Sequence, residues 1–162
     1  MNILVLVSGP AAIGKSTFCA RYSRENPNKE FHVIAADDVR KELYGGYNMF
    51  PPQKNMMLVY EEMVRRAKEL IKDKDGVTVA FDTTMLYDER RLFFVRHLQE
   101  FDRKILICLK LHDYSTCLIR NKSRIQQKWV PDDVIMDMAA HYEEPSTECL
   151  RHFDEYHEIF VD

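Results

Sequence analysis

Ile3-Leu4-Val5-Leu6-Val7-Ser8-Gly9-Pro10-Ala11-Ala12-Ile13-Gly14-Lys15-Ser16-Thr17 is the stretch that decides the fold. Ile3 to Val7 is apolar at every position rather than at alternate ones, as expected of a strand buried on both faces of a parallel sheet. Gly9 to Ser16 then matches G-x-x-x-x-G-K-[ST], and from Lys15 the chain reads as a helix with Phe18, Cys19 and Tyr22 on one face. A phosphate-binding loop needs this order. Glycine lets the backbone turn tightly and approach phosphate oxygens, and the helix N-terminus adds unpaired N–H groups and positive dipole. In this reading Gly9, Ala11, Ala12, Ile13, Gly14, Lys15, Ser16 and Thr17 surround the phosphates of ATP. Lys15 reaches the β and γ phosphates and the Ser16 hydroxyl binds Mg²⁺.

Outward from the loop, strands and helices alternate. Phe31 to Ala36 reads as a second strand closing on Asp37-Asp38, and Val39 to Tyr44 as a short helix stopped by Gly45-Gly46. Tyr47 to Pro52 is a loop. Met56, Tyr60, Met63, Ala67 and Leu70 recur at helical spacing, which predicts a long amphipathic helix from about Gln53 to Asp73. Val77 to Phe81 and Ile105 to Leu111 are further buried strands on either side of a helix from Asp88 to Phe101, and Glu158 to Val161 is the last strand. The first helix is expected to stop at Asn26-Pro27, and another opens at Pro131 with Asp132 and Asp133 in its first turn. The expected architecture is a three-layer α/β sandwich around a five-stranded parallel sheet, the P-loop NTPase kinase type. Ligands of such sheets collect at the carboxyl ends of the strands.

The length of 162 residues predicts one domain, 1–162. A net charge of -3 excludes the broad basic footprint of a dedicated duplex binder, so any nucleic-acid contact must be local. Cys19, Cys108, Cys117 and Cys149 have no C-x-x-C spacing and read as buried thiols of a reduced compartment. The opening apolar run is too short for a signal peptide or a membrane span, and the expected location is cytoplasmic.

A GTPase-type switch would need N-K-x-D and D-x-x-G. The nearest strings, Asn121-Lys122-Ser123-Arg124 and Asp82-Thr83-Thr84-Met85, lack the aspartate and the glycine. A kinase needs an acceptor-side carboxylate, cations on the transferring phosphoryl group and a lid that excludes water. Asp37 and Asp38 leave the second strand, and alternation along a strand would turn one toward the cleft and leave the other to cap the helix. The residues alone do not say which. Arg40 either grips an anionic acceptor or is a solvated helix residue. Asp82 holds Mg²⁺ through water, binds the acceptor, or caps the strand end. Arg120 and Arg124 are four apart, so on one helix they share a face with Lys128 a further turn along, and together they predict a cationic lid at about 117–130.

Gly9 to Thr17, Asp37-Asp38-Val39-Arg40, Asp82-Thr83 with Glu89-Arg90-Arg91-Leu92, and Arg120-Asn121 with Arg124, Val130-Pro131 and Val134 come in an order that resembles the kinase domain of bacteriophage polynucleotide 5′-hydroxyl kinase. That domain stands in a wider group with zeta toxins and small-molecule P-loop kinases. The resemblance implies an ATP- and Mg²⁺-dependent phosphotransferase. Asp37 would be the general base, Arg40 would grip the acceptor phosphate, Asp82 with Thr83 would face the acceptor, and Arg124, supported by Arg120, would sit on the transferring phosphate. The implied acceptor is a 5′-hydroxyl DNA or RNA end. A small molecule such as a nucleoside, sugar or antibiotic is the alternative, and an ATP-binding regulator without transferase activity is a third reading. Pro10-Ala11-Ala12-Ile13 departs from the family's proline, glycine and small polar residue by being bulkier. Tyr44 to Met57 has no counterpart, and its aromatics either stack a base or pack the loop.

Overall fold

A computed structural model describes every residue except Pro27 and Lys29, so the stop expected at Asn26-Pro27 lies in part outside the described residues. Five strands, β1 (Ile3–Ser8), β2 (Glu30–Ala35), β3 (Val77–Asp82), β4 (Arg103–Lys110) and β5 (Glu155–Phe160), form one sheet in the order β2-β3-β1-β4-β5. Every pairing is parallel. The three-layer α/β sandwich expected from the sequence is the fold observed. β1 lies in the middle, with Val7 opposite Asp82 of β3 and Ser8 opposite Cys108 of β4, so the carboxyl ends of three strands meet beside the loop that follows β1.

Alternation along β1 separates two cores. Leu4 and Leu6 point with Val79, Phe81 and Leu106 to the face covered by α3 (Met57–Ile71) and α4 (Asp88–His97), where Met63, Ala67, Phe94 and Leu98 close over them. Val5 and Val7 point with Ala80, Ile105 and Ile107 to the opposite face, against α1 (Lys15–Glu25), α5 (Ser115–Lys122) and α6 (Asp132–Ala140). Each such side chain contributes roughly 1.5–3 kcal/mol by leaving water. Tyr60, Phe94 and Phe81 meet edge to face at 5.5 and 5.0 Å, fixing α3 and α4 to β3.

Several boundaries differ from the sequence reading. The helix expected over Gln53–Asp73 is a 3-10 turn at Pro52–Lys54 followed by α3, because Gln53 and Lys54 take positive φ (56° and 52°). The Asn55 side chain then accepts the Met57 N–H at 3.2 Å. α4 stops at His97 instead of Phe101, and the chain turns so that Phe101 is buried. α2 (Ala36–Tyr44) starts directly after β2, three residues before the predicted Val39, and α7 (Thr147–Leu150) is a single turn before β5.

Candidate active site

The loop between β1 and α1 is fixed at its root by backbone bonds to the end of β3. The Gly9 N–H donates to the Thr84 carbonyl at 3.0 Å, and the Ser8 hydroxyl donates to the Thr84 and Met85 carbonyls at 3.1 and 3.0 Å. Gly9 must be glycine because a Cβ there would lie 2.8 Å from Ile13 Cγ2 and 3.4 Å from the Leu109 carbonyl. The bulk of Ile13 is thus turned inward, fully buried against the core. Gly14 has φ 111° as the residue before α1, and Ala12 is left-handed at φ 63°, where an L side chain is strained. The Lys15 ammonium is buried and donates to the Gly9 and Pro10 carbonyls at 3.0 and 2.8 Å. Burial lowers its pKa from the usual lysine value, opposed by the charges of Asp82 and Asp37 and assisted by Arg124.

The Ser16 hydroxyl donates to Asp82 Oδ2 at 2.8 Å, across from the end of β3. Among the described residues no group of three His, Cys, Asp or Glu side chains could hold a metal. Mg²⁺ does not require one. It retains several waters and takes one or two protein oxygens plus those of phosphate, and a hydroxyl beside a carboxylate at the mouth of the loop fits that need.

Asp37 and Asp38 both lie in the first turn of α2, with Ala35 as the residue before the helix and no side-chain cap. The strand alternation and capping expected for them therefore do not apply, because β2 passes into α2 without an intervening residue. They still diverge. Asp37 Oδ1 pairs with Arg40 Nη1 at 3.1 Å, whereas Asp38 Oδ1 accepts from the Tyr47 hydroxyl at 3.2 Å. Arg40 also donates to the Tyr47 carbonyl at 2.6 Å and lies 4.7 Å from the Phe50 ring centre, so most of its guanidinium holds Asp37 and the loop, while its Nε is buried without a partner. Two aromatics of the 44–57 segment, Tyr47 and Phe50, face cations of the protein, while Tyr44 packs against the core. Tyr47 lies 4.6 Å from Lys41 Nζ and 4.5 Å from Lys128 Nζ, and Phe50 faces Arg40 and Lys54. Thr83 is buried beside Tyr60, whose phenol is pushed up by burial and feels Arg90, Thr83, Arg40 and Asp37.

The expected lid is two pieces. α5 ends at Lys122, and Lys128 belongs to a separate 3-10 turn, Gln126–Lys128, so Arg120, Arg124 and Lys128 do not share a helical face. The break has a clear cause. The buried Asn121 side chain donates to the Val130 carbonyl at 2.7 Å and accepts its N–H at 3.1 Å, folding the segment back on itself. Arg124 donates to Asn121 Oδ1 at 2.7 Å and to the Lys128 carbonyl at 2.8 Å. Its charge is disfavoured by burial and favoured by Asp37 and Asp82, so it belongs to the same group of charges as Lys15. Arg120 is engaged differently, donating to the Ile13 carbonyl at 2.7 Å and the Val161 carbonyl at 2.9 Å.

Lys15, Asp82, Asp37 and Arg124 are thus brought within electrostatic reach of one another, while Arg120 braces the loop from behind. Tyr60, Arg90 and Tyr47 also border the site without having been assigned to it from sequence. Arg90 has a sequence signal, since it follows Asp82 at the start of the next helix; Tyr60 reads only as one more apolar position in an amphipathic stripe.

A central strand, a Gly9–Thr17 loop and a serine–aspartate pair at the sheet's carboxyl end define a nucleotide-binding protein of the P-loop kinase fold. The AAA_33 family, described as an AAA domain, matches residues 4–145, and the chain belongs to that family. It is 27% identical over 151 residues to the L-seryl-tRNA(Sec) kinase of Methanococcus maripaludis, covering 90% of this chain but only 54% of that protein. The chain thus spans about half the length of this curated relative. Among solved structures, Chaetomium thermophilum Kti12 in complex with ADP-AlF3 superposes with a TM-score of 0.67 at 14% identity, over 98% of this chain and 89% of that one. A chain of the Pnkp1/Rnl/Hen1 RNA repair complex gives 0.68 at 17%, covering 94% and 46%, and a gluconokinase from Sinorhizobium meliloti gives 0.65 at 13%, covering 97% and 81%. At these identities the likeness is one of fold. Among the described residues, no helix is long and apolar enough to cross a membrane.

Proposed function

We propose that this protein is an ATP-dependent kinase that transfers the γ-phosphoryl group to the 5′-hydroxyl of a DNA or RNA end. The observation that carries the reading is that Lys15, which bonds the Gly9 and Pro10 carbonyls, Asp82, which accepts from Ser16, and Asp37 and Arg124 all lie within electrostatic reach of one another. Lys15 binds the β and γ phosphates, and the N–H groups of the Gly9–Thr17 loop hold the remaining phosphate oxygens. Asp37, held at 3.1 Å by Arg40, takes the proton of the acceptor hydroxyl. The acceptor oxygen forms a bond to the γ phosphorus as the bond to the β–γ bridging oxygen breaks, and ADP leaves with that electron pair. Arg124 steadies the charge on the transferring group. Mg²⁺, held by Ser16 and through water by Asp82, would neutralise charge on the phosphates. Thr83 and Arg40 bound the acceptor side.

An RNA-borne hydroxyl is consistent with the name of the L-seryl-tRNA(Sec) kinase, and an RNA end with that of the RNA repair complex. A small-molecule acceptor is the second reading, favoured by the net charge of -3 and by aromatics whose rings already face the protein's own cations.

The test offers γ-labelled ATP, Mg²⁺ and 5′-hydroxyl oligonucleotides, and follows label on the 5′ end. We expect transfer that falls 10²-fold or more in Asp37→Asn, with ATP binding retained, and survives in Asp38→Asn. Full activity in Asp37→Asn would defeat the base assignment, and ATP binding with no labelled oligonucleotide would turn the acceptor toward small molecules.

A further inference from the structure

Tyr47 is half-buried and has partners on two separate elements. From α2, Asp38 Oδ1 accepts its hydroxyl at 3.2 Å, Arg40 Nη2 donates to its carbonyl at 2.6 Å, and Lys41 Nζ lies 4.6 Å from its ring centre. From the Gln126–Lys128 turn, Lys128 Nζ lies 4.5 Å from the same ring. Both ammonium groups are within the range at which a ring quadrupole attracts a cation. The backbone of Lys128 leads further. Arg124 Nη2 donates to the Lys128 carbonyl at 2.8 Å and to Asn121 Oδ1 at 2.7 Å, while Arg124 Nε is buried without a partner. Among the described residues the hydrogen bonds of this guanidinium all run through Nη2, and one of its two anchors is the residue that Tyr47 faces.

A line of direct contacts therefore runs from α2, which carries Asp37, through the Tyr47 ring and Lys128 to Arg124. Core packing does not hold the far end of that line. The Gln126–Lys128 turn buries none of its residues, and the side chains on either side of it, Ile125 and Trp129, are 57% and 39% exposed. The Asn121 bonds to Val130 close the base of the segment, which leaves its tip to the ring contact. We propose that Tyr47 is a positioning residue that ties the tip of the lid segment to α2 and so sets the aim of Arg124 on the transferring phosphate. The inference rests on the kinase reading above and adds to it a dependence of the lid on the loop that follows α2. The ring is the part required, because Lys128 meets the ring, whereas the hydroxyl serves Asp38 on the α2 side.

Trp129 is the one tryptophan of the chain, and its Nε1–H donates to the Arg124 carbonyl at 2.9 Å, so its emission reports on the lid segment without any phosphotransfer. The experiment measures acrylamide quenching of Trp129 with ADP saturating the phosphate loop, alongside label transfer from γ-labelled ATP to 5′-hydroxyl oligonucleotides. Tyr47→Leu and Lys128→Met should each raise the quenching constant. Each should also lower kcat about two- to fivefold, the weight of one cation–π contact, with the KM for ATP nearly unchanged. The double variant should fall no further than the weaker single one, and Tyr47→Phe should recover most of the loss. A packing role for Tyr47 alone would leave Lys128→Met silent. Quenching unchanged in both variants, or losses that add in the double variant, would overturn the tie. If quenching rises while label is transferred at the wild-type kcat, the positioning role fails and the kinase reading stands. If quenching rises but no label reaches any acceptor, the kinase reading fails and the tie between lid and α2 stands.

Discussion

Ala12→Gly is the substitution whose outcome follows most directly from the backbone. Ala12 has φ 63°, and holding an L residue there costs roughly 1–2 kcal/mol. Glycine relieves that strain but loses more freedom on folding, about 0.5–1 kcal/mol. The half-buried methyl of Ala12 forfeits about 0.4 kcal/mol more, half the value of a buried methylene. The balance is a net gain near 0.4 kcal/mol, or about 1–2 °C in Tm for a chain of this size. Ala11→Gly is the control. Ala11 is buried and has no positive φ, so the same change recovers no strain and should cost about 1.5 kcal/mol. Two chemically identical changes at adjacent positions should thus differ by roughly 2 kcal/mol, about 4–8 °C in Tm. Thermal unfolding followed by circular dichroism, with and without ADP, reads the difference. Equal destabilisation by the two would refute the strained-loop argument.

Glu62 receives hydrogen bonds from Arg65 and Arg66, and chiefly the Arg65 bond, against the effect of burial, brings its pKa down to about 2. A depressed carboxylate stabilises the fold above its unfolded pKa and loses that contribution as pH falls through the folded value. Glu62→Gln should therefore be less stable by about 0.5–1 kcal/mol at pH 7, with the gap closing between pH 4.5 and 2 in denaturant titrations; a gap independent of pH would contradict the ion-pair account. Arg124→Ala should lower kcat about 10³-fold or more with a smaller change in ATP affinity, since a positioned arginine acts on the transition state; steady-state kinetics showing loss in ATP affinity alone would reassign it to ground-state binding.

The phosphate loop was legible because its chemistry is written in backbone requirements. Gly9 admits no Cβ and Gly14 is left-handed, and a sequence records both needs directly. The sheet was legible for a similar reason, since strands buried on both faces leave continuous apolar runs. The placing of Asp37 and Asp38 was not, because nothing in Ala35-Ala36-Asp37-Asp38 marks where β2 ends and α2 begins, and the helix starts without a capping side chain. The sequence does not show that Arg120, Arg124 and Lys128 fail to share one helix, because Arg120 to Arg124 are all compatible with helix. What breaks it is the Asn121 side chain meeting the backbone of Val130, a tertiary contact that no periodicity carries. The surroundings of Tyr47 were hidden in the same way, since the two lysines facing its ring come from α2 and from the 126–128 turn.

Arg120 joins the carbonyl of Ile13 to that of Val161 through a single guanidinium. A handle fused after Asp162 would pull on a strand end one side chain away from the nucleotide loop, and its tension or bulk would enter any measured ATP affinity.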